Sequence, residues 1–385
     1  MCAADYALWR TGPRRIVGPL MPEALIPAQT RSLVAGLAGR ESLPRISALG
    51  TAGPATSFDQ AQMLDLLGLA GDAFAEEIFA RCGVRRRGLE VSRESLTQTL
   101  QQRTKSTEEQ LMRLATRAVD ALSADLDDVG VVVTSNYYSL GGPTLAHRLV
   151  DRYALRADTD KYHVVGVGCA RAVPLLRLAS QALRARPAEK ALVVASESVS
   201  GFLCPVAAGD EKVKIVGAAL FADGAAAALL SLETDGRGQG SGPRILATEV
   251  HQLPGTLDHV RFAVSGEDSH MWMARELPAL AETGVPALVH GFLDRHDVDI
   301  GMIDHWPLHP GGRGIIEGLQ GGLGLSGEDV APSTAVLAEH GNVGTASAFL
   351  VLERVIAERA PRPGQLGLAI TIGPGVTVGL MLLQF

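Results

Sequence analysis

Apolar runs of strand length alternate along this chain with stretches whose apolar residues recur at helical spacing. Val131-Val132-Val133-Thr134, Ala191-Leu192-Val193-Val194-Ala195 and Ala225 to Leu232 are short continuous runs that predict buried strands. Met302 to Trp306, Leu366 to Ile372 and Val376 to Leu383 predict three more. Tyr162 to Gly168 reads as another buried strand. Glu108 to Leu122, Leu175 to Ala185 and Ala346 to Ile356 carry the helical period instead. The alternation predicts an α/β protein with sheets covered by helices. A Gly-rich break from Thr234 to Pro243 holds no lysine and opens no helix, so it reads as a linker rather than a phosphate loop. It separates two halves, residues 44–235 and 244–385, behind an extension at 1–43. Each half ends in a strand pair rich in Ala, Leu and Val, which hints at a duplicated fold.

Composition narrows the function classes. A chain of 385 residues, 46 % hydrophobic and 20 % charged, can bury a sizeable core as one large or two ordinary domains. A net charge of −7 argues against nucleic acid or an anionic membrane surface as the main partner. Cys2, Cys82, Cys169 and Cys204 lie far apart with no CxxC spacing, so neither a disulfide framework nor a zinc site is expected, and a reducing cytoplasm fits. No apolar stretch reaches membrane-spanning length. Met1 to Gly36 carries Arg10, Arg14 and Arg15 but no apolar core of signal-peptide type, and reads as an arm.

Three residues carry candidate chemistry. Cys169 stands where the Tyr162–Gly168 run gives way to a helical run, with Pro174 tolerable in the first turn. At such a turn the sulfur lies near the positive end of a helix dipole, which favours thiolate; the bland alternative is a small apolar cysteine packed at a tight turn. His309 lies in Trp306-Pro307-Leu308-His309-Pro310-Gly311-Gly312, a loop whose proline and glycines fix the backbone and admit a close neighbour. Asn342 lies in His340-Gly341-Asn342-Val343-Gly344, before a helical run, and suits either an N-cap or an amide that holds an oxyanion. Thiol proteases use Cys, His and Asn in this order, but the glutamine they need just before the nucleophile is absent. The order also suits acyl-thioester condensation. There cysteine carries an acyl group while His and Asn polarise a second thioester that loses carbon dioxide. That chemistry needs no metal and no redox cofactor.

At these residues the chain resembles the type III polyketide synthases, the chalcone and stilbene synthase family of the thiolase fold. Pro44 to Ala52, Val132-Val133-Thr134-Ser135, Gly168-Cys169, Ser196-Glu197, Ala218 to Ala226, His309-Pro310-Gly311-Gly312, Gly341-Asn342 and Gly373-Pro374-Gly375-Val376-Thr377 match family blocks in order. The resemblance implies a thiolase-like five-layered α/β/α/β/α fold from two similar halves, a homodimer, and CoA thioesters as substrates without a cofactor. It implies Cys169, His309 and Asn342 as the catalytic residues. A substrate pocket is implied at Thr134, Leu140, Val199, Phe202, Leu203, Met271, Gly344, Gly373, Pro374 and Gly375. Phe202 or Leu203 stands nearest the family's first gating phenylalanine, and Met271 nearest the second. Leu140 replaces a methionine that reaches across the dimer in chalcone synthases. Gly344 replaces a serine. Arg171 departs from the family's small residues after the nucleophile, and faces either the dimer contact or a neighbouring helix.

Arg85-Arg86-Arg87 suits the phosphates of CoA, and reads equally as a solvated face. The expected activity is loading of an acyl-CoA on Cys169 and decarboxylative extension with malonyl-CoA or a related extender. The rivals are an acyltransferase on the same scaffold that never decarboxylates, a non-catalytic dimer partner, and a carrier-protein-dependent synthase.

Overall fold

The computed structural model describes residues 42–137, 141–201, 212–233, 242–265 and 268–385. The first half supplies β1 (Pro44–Ala52), a two-stranded ribbon of β2 (Ser57–Asp59) and β3 (Arg86–Gly88), then β4 (Val129–Ser135), β5 (Asp160–Val164), β6 (Lys190–Glu197) and β7 (Gly224–Leu232). The second half supplies β8 (Arg244–Gln252), a hairpin of β9 (Val260–Ser265) and β10 (Asp268–Met273), then β11 (Ile303–His305), β12 (Leu366–Gly373) and β13 (Thr377–Gln384).

The main sheet runs β11-β12-β13-β8-β1-β7-β6-β4-β5. Its two wings repeat each other. In the first, β4 and β6 are parallel while β6–β7 and β7–β1 are antiparallel. In the second, β11 and β12 are parallel while β12–β13 and β13–β8 are antiparallel. The wings join through a single pair, Arg45 with Arg244. The duplicated pattern expected from the Ala-, Leu- and Val-rich strand pairs is present.

Three cores define the layers. The central one holds the helices Ala172–Ala185 and Ala346–Arg359 between the wings, with Val131, Val133 and Val193 on one side and Ala369, Met381 and Leu383 on the other. The outer face of the first wing packs on Leu100–Ala121 and Leu145–Arg152 through Leu114, Ala118 and Leu149. The outer face of the second packs on Leu277–Thr283, Val285–Asp294 and Arg313–Leu323. This is the five-layered α/β/α/β/α arrangement. Strands buried on both faces read as continuous apolar runs, which is why β4, β6 and β7 stood out in the sequence.

The run from Tyr162 behaves differently from its expectation. β5 stops at Val164 and pairs only with β4, so it is an edge strand. Tyr162 is 37 % exposed and Val165 43 %. Among the described residues no helix is long and apolar enough to cross a membrane. The arm at 1–36 and the Gly-rich segment 234–241 lie outside the described residues.

Candidate active site

The two central helices begin at the same place. Gly168–Arg171 forms a 3₁₀ turn carrying Cys169 and runs directly into Ala172–Ala185, where Pro174 occupies the first turn and forfeits no needed N–H bond. The helix Ala346–Arg359 starts behind Thr345, whose hydroxyl donates to the Gly168 carbonyl at 3.2 Å. Two positive helix ends therefore converge on one turn. Gly168 has φ +61°, and a Cβ there would lie 2.2 Å from Pro374 Cδ. A Cβ on Gly373 would lie 2.5 Å from the Ala170 nitrogen. The loop after β12 thus packs against the nucleophile turn so closely that only glycine fits at both contacts.

His309 follows β11. Its N–H donates to the Ile370 carbonyl at 2.8 Å and its carbonyl accepts from Gly311 N–H at 2.8 Å. The ring is 1 % exposed, and neither nitrogen has a hydrogen-bond partner among the described residues. Asn342 is held by a bridge to Phe221. Its side-chain oxygen accepts from Gly344 N–H at 2.9 Å, so its amide NH₂ faces the Gly311 carbonyl at 3.3 Å and the Cys169 sulfur. It is not the N-cap of the following helix; Thr345 is.

Burial dominates the electrostatics. It pushes the Cys169 thiol up to about 12, reinforced by the Glu197 carboxylate, while Arg171, a backbone hydrogen bond and Asn342 pull the other way. Burial also holds the His309 imidazole down to about 4. Burial thus works against the thiolate that the helix start favours, and it favours a neutral imidazole, which can accept a thiol proton.

Cys169, His309 and Asn342 share a cavity with about 950 Å³ of empty space, its mouth included. The rest of the wall is mainly apolar, built by Phe221, Val260, Phe262, Met273, Leu277, Ile315 and Ile372. Tyr137, Glu197, Ser198 and Arg261 add polar groups. The Ser198 hydroxyl is turned away to Gln110 at 2.6 Å. Arg261 stacks on Trp272 with its guanidinium 4.4 Å from the ring centre. The Glu197–Gly201 stretch is pinned by Asp223, which accepts from Val199 N–H at 2.6 Å and Ser200 N–H at 2.9 Å.

Of the pocket residues expected from the sequence, Val199, Gly344, Gly373 and Pro374 line this cavity. Thr134 does not. Its hydroxyl bonds the His163 ring at 2.7 Å and faces β5. Gly375 does not either; its carbonyl accepts from Thr256 at 3.0 Å. Leu140, Phe202 and Leu203, with Cys204, lie outside the described residues, as does the Met271 side chain.

The arginine triplet divides. Arg87 is fully buried, its guanidinium donating to the Phe221 and Ala218 carbonyls and lying over Phe79, so it cannot meet a phosphate. Alternation along β3 turns it inward. Arg86 donates to Ser57 at 2.7 Å. Arg85 alone stands in solvent, 3.7 Å from Glu339.

Comparison with known proteins places this geometry. A model described as FAE1/type III polyketide synthase-like protein matches residues 54–263, and one for the C-terminal domain of chalcone and stilbene synthases matches residues 245–385. The chain belongs to the type III polyketide synthase family. It is 26 % identical over 376 residues to a 3,5-dihydroxyphenylacetyl-CoA synthase of Amycolatopsis balhimycina, covering 95 % of this chain and 98 % of that one. It is 32 % identical over 270 residues to an alpha-pyrone synthesis polyketide synthase-like protein of Mycobacterium tuberculosis, covering 69 % of this chain and 67 % of the other. The crystal structure of PKS-I from the brown alga Ectocarpus siliculosus superposes with a TM-score of 0.82 at 26 % identity, covering 90 % of this chain and 99 % of that one.

Proposed function

We infer that this chain condenses acyl-CoA thioesters by decarboxylation. The observation that carries the reading is the meeting of Cys169, His309 and Asn342 at one apolar cavity, beside two helix starts. In the loading step the Cys169 sulfur attacks the starter carbonyl while His309 takes the thiol proton. CoA leaves as a thiolate and recovers that proton from His309. In the extension step the malonyl-CoA carbonyl oxygen sits between the His309 N–H and the Asn342 amide. Loss of carbon dioxide leaves an enolate whose carbon attacks the acyl-cysteine, and Cys169 departs as thiolate. Repetition followed by cyclisation or release gives the product. Family membership favours this synthase over an acyltransferase that never decarboxylates.

The apolar wall favours an aliphatic acyl starter. Each buried methylene is worth about 0.8 kcal/mol, so two added methylenes should raise kcat/KM roughly tenfold while they still fit. The edge strand β5, with Tyr162 on it and Val165 just past its end both exposed, supports a homodimer that covers it. A cytoplasmic setting and CoA rather than carrier-protein substrates complete the reading. Arg85 remains the member of the triplet suited to meet CoA phosphate.

The test is a panel of acyl-CoA starters, from acetyl to long aliphatic and hydroxylated aromatic, each with malonyl-CoA labelled at its free carboxyl. Labelled carbon dioxide and chain-extended products, best with aliphatic starters, are expected. Acyl transfer without carbon dioxide release from any starter would replace the synthase with the acyltransferase. A preference for hydroxylated aromatic starters would refute the aliphatic assignment alone.

A further inference from the structure

Arg171 is the largest residue of the nucleophile turn and is completely buried. Its Nη1 donates to the Asn136 carbonyl at 2.8 Å and the Val164 carbonyl at 3.2 Å, tying the ends of β4 and β5 beneath the turn. Nε and Nη2 have no hydrogen-bond partner among the described residues. The guanidinium lies 5.4 Å from the centre of the Tyr137 ring. Arginine is rarely buried whole, and a buried charge with donors unfilled is costly unless another charge answers it. Two groups here can. Glu197, at the end of β6, is 3 % exposed, with Oε1 unpartnered among the described residues, and lines the cavity beside Cys169. Gly344 leaves the carboxylate its room, since a Cβ there would lie 3.2 Å from Glu197 Cγ. The other answering group is Cys169 itself, once it loses its proton.

We propose that Arg171 is a positioning residue whose buried positive charge stabilises the Cys169 thiolate, held in check by Glu197 as its opposing anion. The inference rests on Cys169 being the reactive nucleophile, but not on decarboxylation. Glu197 from β6, Tyr137 from the end of β4, His309 from the loop after β11 and Asn342 ahead of the second central helix line the cavity with Cys169, while Arg171 lies off that wall, in Cys169's own turn and over the Tyr137 ring. Among the described residues Arg171 is the fixed cation of Cys169's own turn, whereas Arg261 stands on the cavity wall and stacks on Trp272. The signs agree with the geometry: Glu197 raises the thiol's proton affinity and Arg171 lowers it, and Arg171 likewise favours the ionised form of Glu197. Arg87, equally buried, lies over Phe79, which is not a cavity residue, whereas Arg171 lies over Tyr137, which is, and shares the turn of Cys169. Full burial therefore does not by itself make an arginine serve the nucleophile. The neighbours decide.

The experiment measures the rate of Cys169 alkylation by iodoacetamide against pH, by mass spectrometry of the full chain. An opposite charge at this range moves a midpoint by about one unit or more. Arg171→Gln should raise the midpoint by about that much, slowing alkylation roughly tenfold at a fixed pH below it, and Arg171→Lys should restore the parent profile. Should Arg171→Gln alone fail to fold, the decisive pair is Glu197→Gln against the double variant Arg171→Gln/Glu197→Gln, which leaves no buried charge uncompensated. Glu197→Gln should have the lowest midpoint of all, and the double variant should lie about one unit or more above it. If those two share one midpoint, Arg171 does not act on the thiolate and the proposal falls. Alkylation consumes no CoA thioester, so the predicted order of midpoints in a protein that makes no polyketide would uphold this inference while the proposed function failed.

Discussion

Cys169→Ala is expected to abolish product and acyl-enzyme together, a loss of about 10⁶-fold, the scale reached when a covalent nucleophile is removed. Among the described residues no other thiol lines the cavity. The chemistry needs an atom that attacks a thioester, holds the acyl chain through decarboxylation and then leaves, and only a thiol at the junction of the two helix starts does all three. Cys82 shows what an unsuitable thiol looks like. Its sulfur lies 3.0 Å from Gln60 Nε2 and 3.5 Å from the Phe79 and Ala219 carbonyls, outside the cavity. Incubation with an acyl-CoA should therefore give one adduct by mass spectrometry, on Cys169 and absent from the variant. An adduct on Cys82 or Cys204 that carries through to product would remove the assignment.

Asn342→Ala should part the two chemical steps. The amide NH₂ is aimed by its own oxygen, which accepts from Gly344 N–H, so it is pre-set to meet the enolate oxygen. Loss of one such donor costs about 10² to 10³ in rate, and decarboxylation of malonyl-CoA should fall by that factor. Loading should fall less, because Asn342 supports the sulfur only as one contributor beside Arg171 and the turn's backbone. His309→Ala should impair both steps, since the imidazole takes the thiol proton in the first and donates to the carbonyl in the second. Acylation of Cys169 and carbon dioxide release, measured in parallel, separate these cases. Decarboxylation at the parent rate in Asn342→Ala would reduce Asn342 to a loop-shaping residue.

The sequence showed the interior of the sheet clearly and its periphery poorly. β4, β6, β7, β12 and β13 are buried along most of their length, so their apolar runs announced them. An apolar run does not say whether a strand has one neighbour or two, and so the Tyr162–Gly168 run reads as a buried strand where the fold has an edge. β8 carries Arg244, Glu249, His251 and Gln252 and is mostly half-buried, so no run marked it. That Cys169, His309 and Asn342 meet at one cavity was legible because each stands in a short, chemically constrained segment. The cavity wall was not. Phe221, Phe262, Leu277 and Ile315 come from four separate elements and have no local signature; only the packing of the second wing brings them together. Arg87 misled for a related reason: charge in a sequence suggests solvent, and nothing local reveals the carbonyls and the aromatic face waiting inside the fold.

The contact between Thr345 and the Gly168 carbonyl has a bearing on how the protein is made. Cys169 emerges from the ribosome long before His309, Asn342 and the Gly373-Pro374 wall exist. A nascent polypeptide at that stage holds a thiol with no base to take its proton, no amide beside it and no second helix end to brace its turn. Domains fold as they are synthesised, first half before second, so the first wing can assemble around a nucleophile that is still chemically silent. Chains arrested short of His309 should leave acyl-CoA untouched. Because the cavity is divided between the two repeats, the thiol meets its full set of neighbours only when both are made.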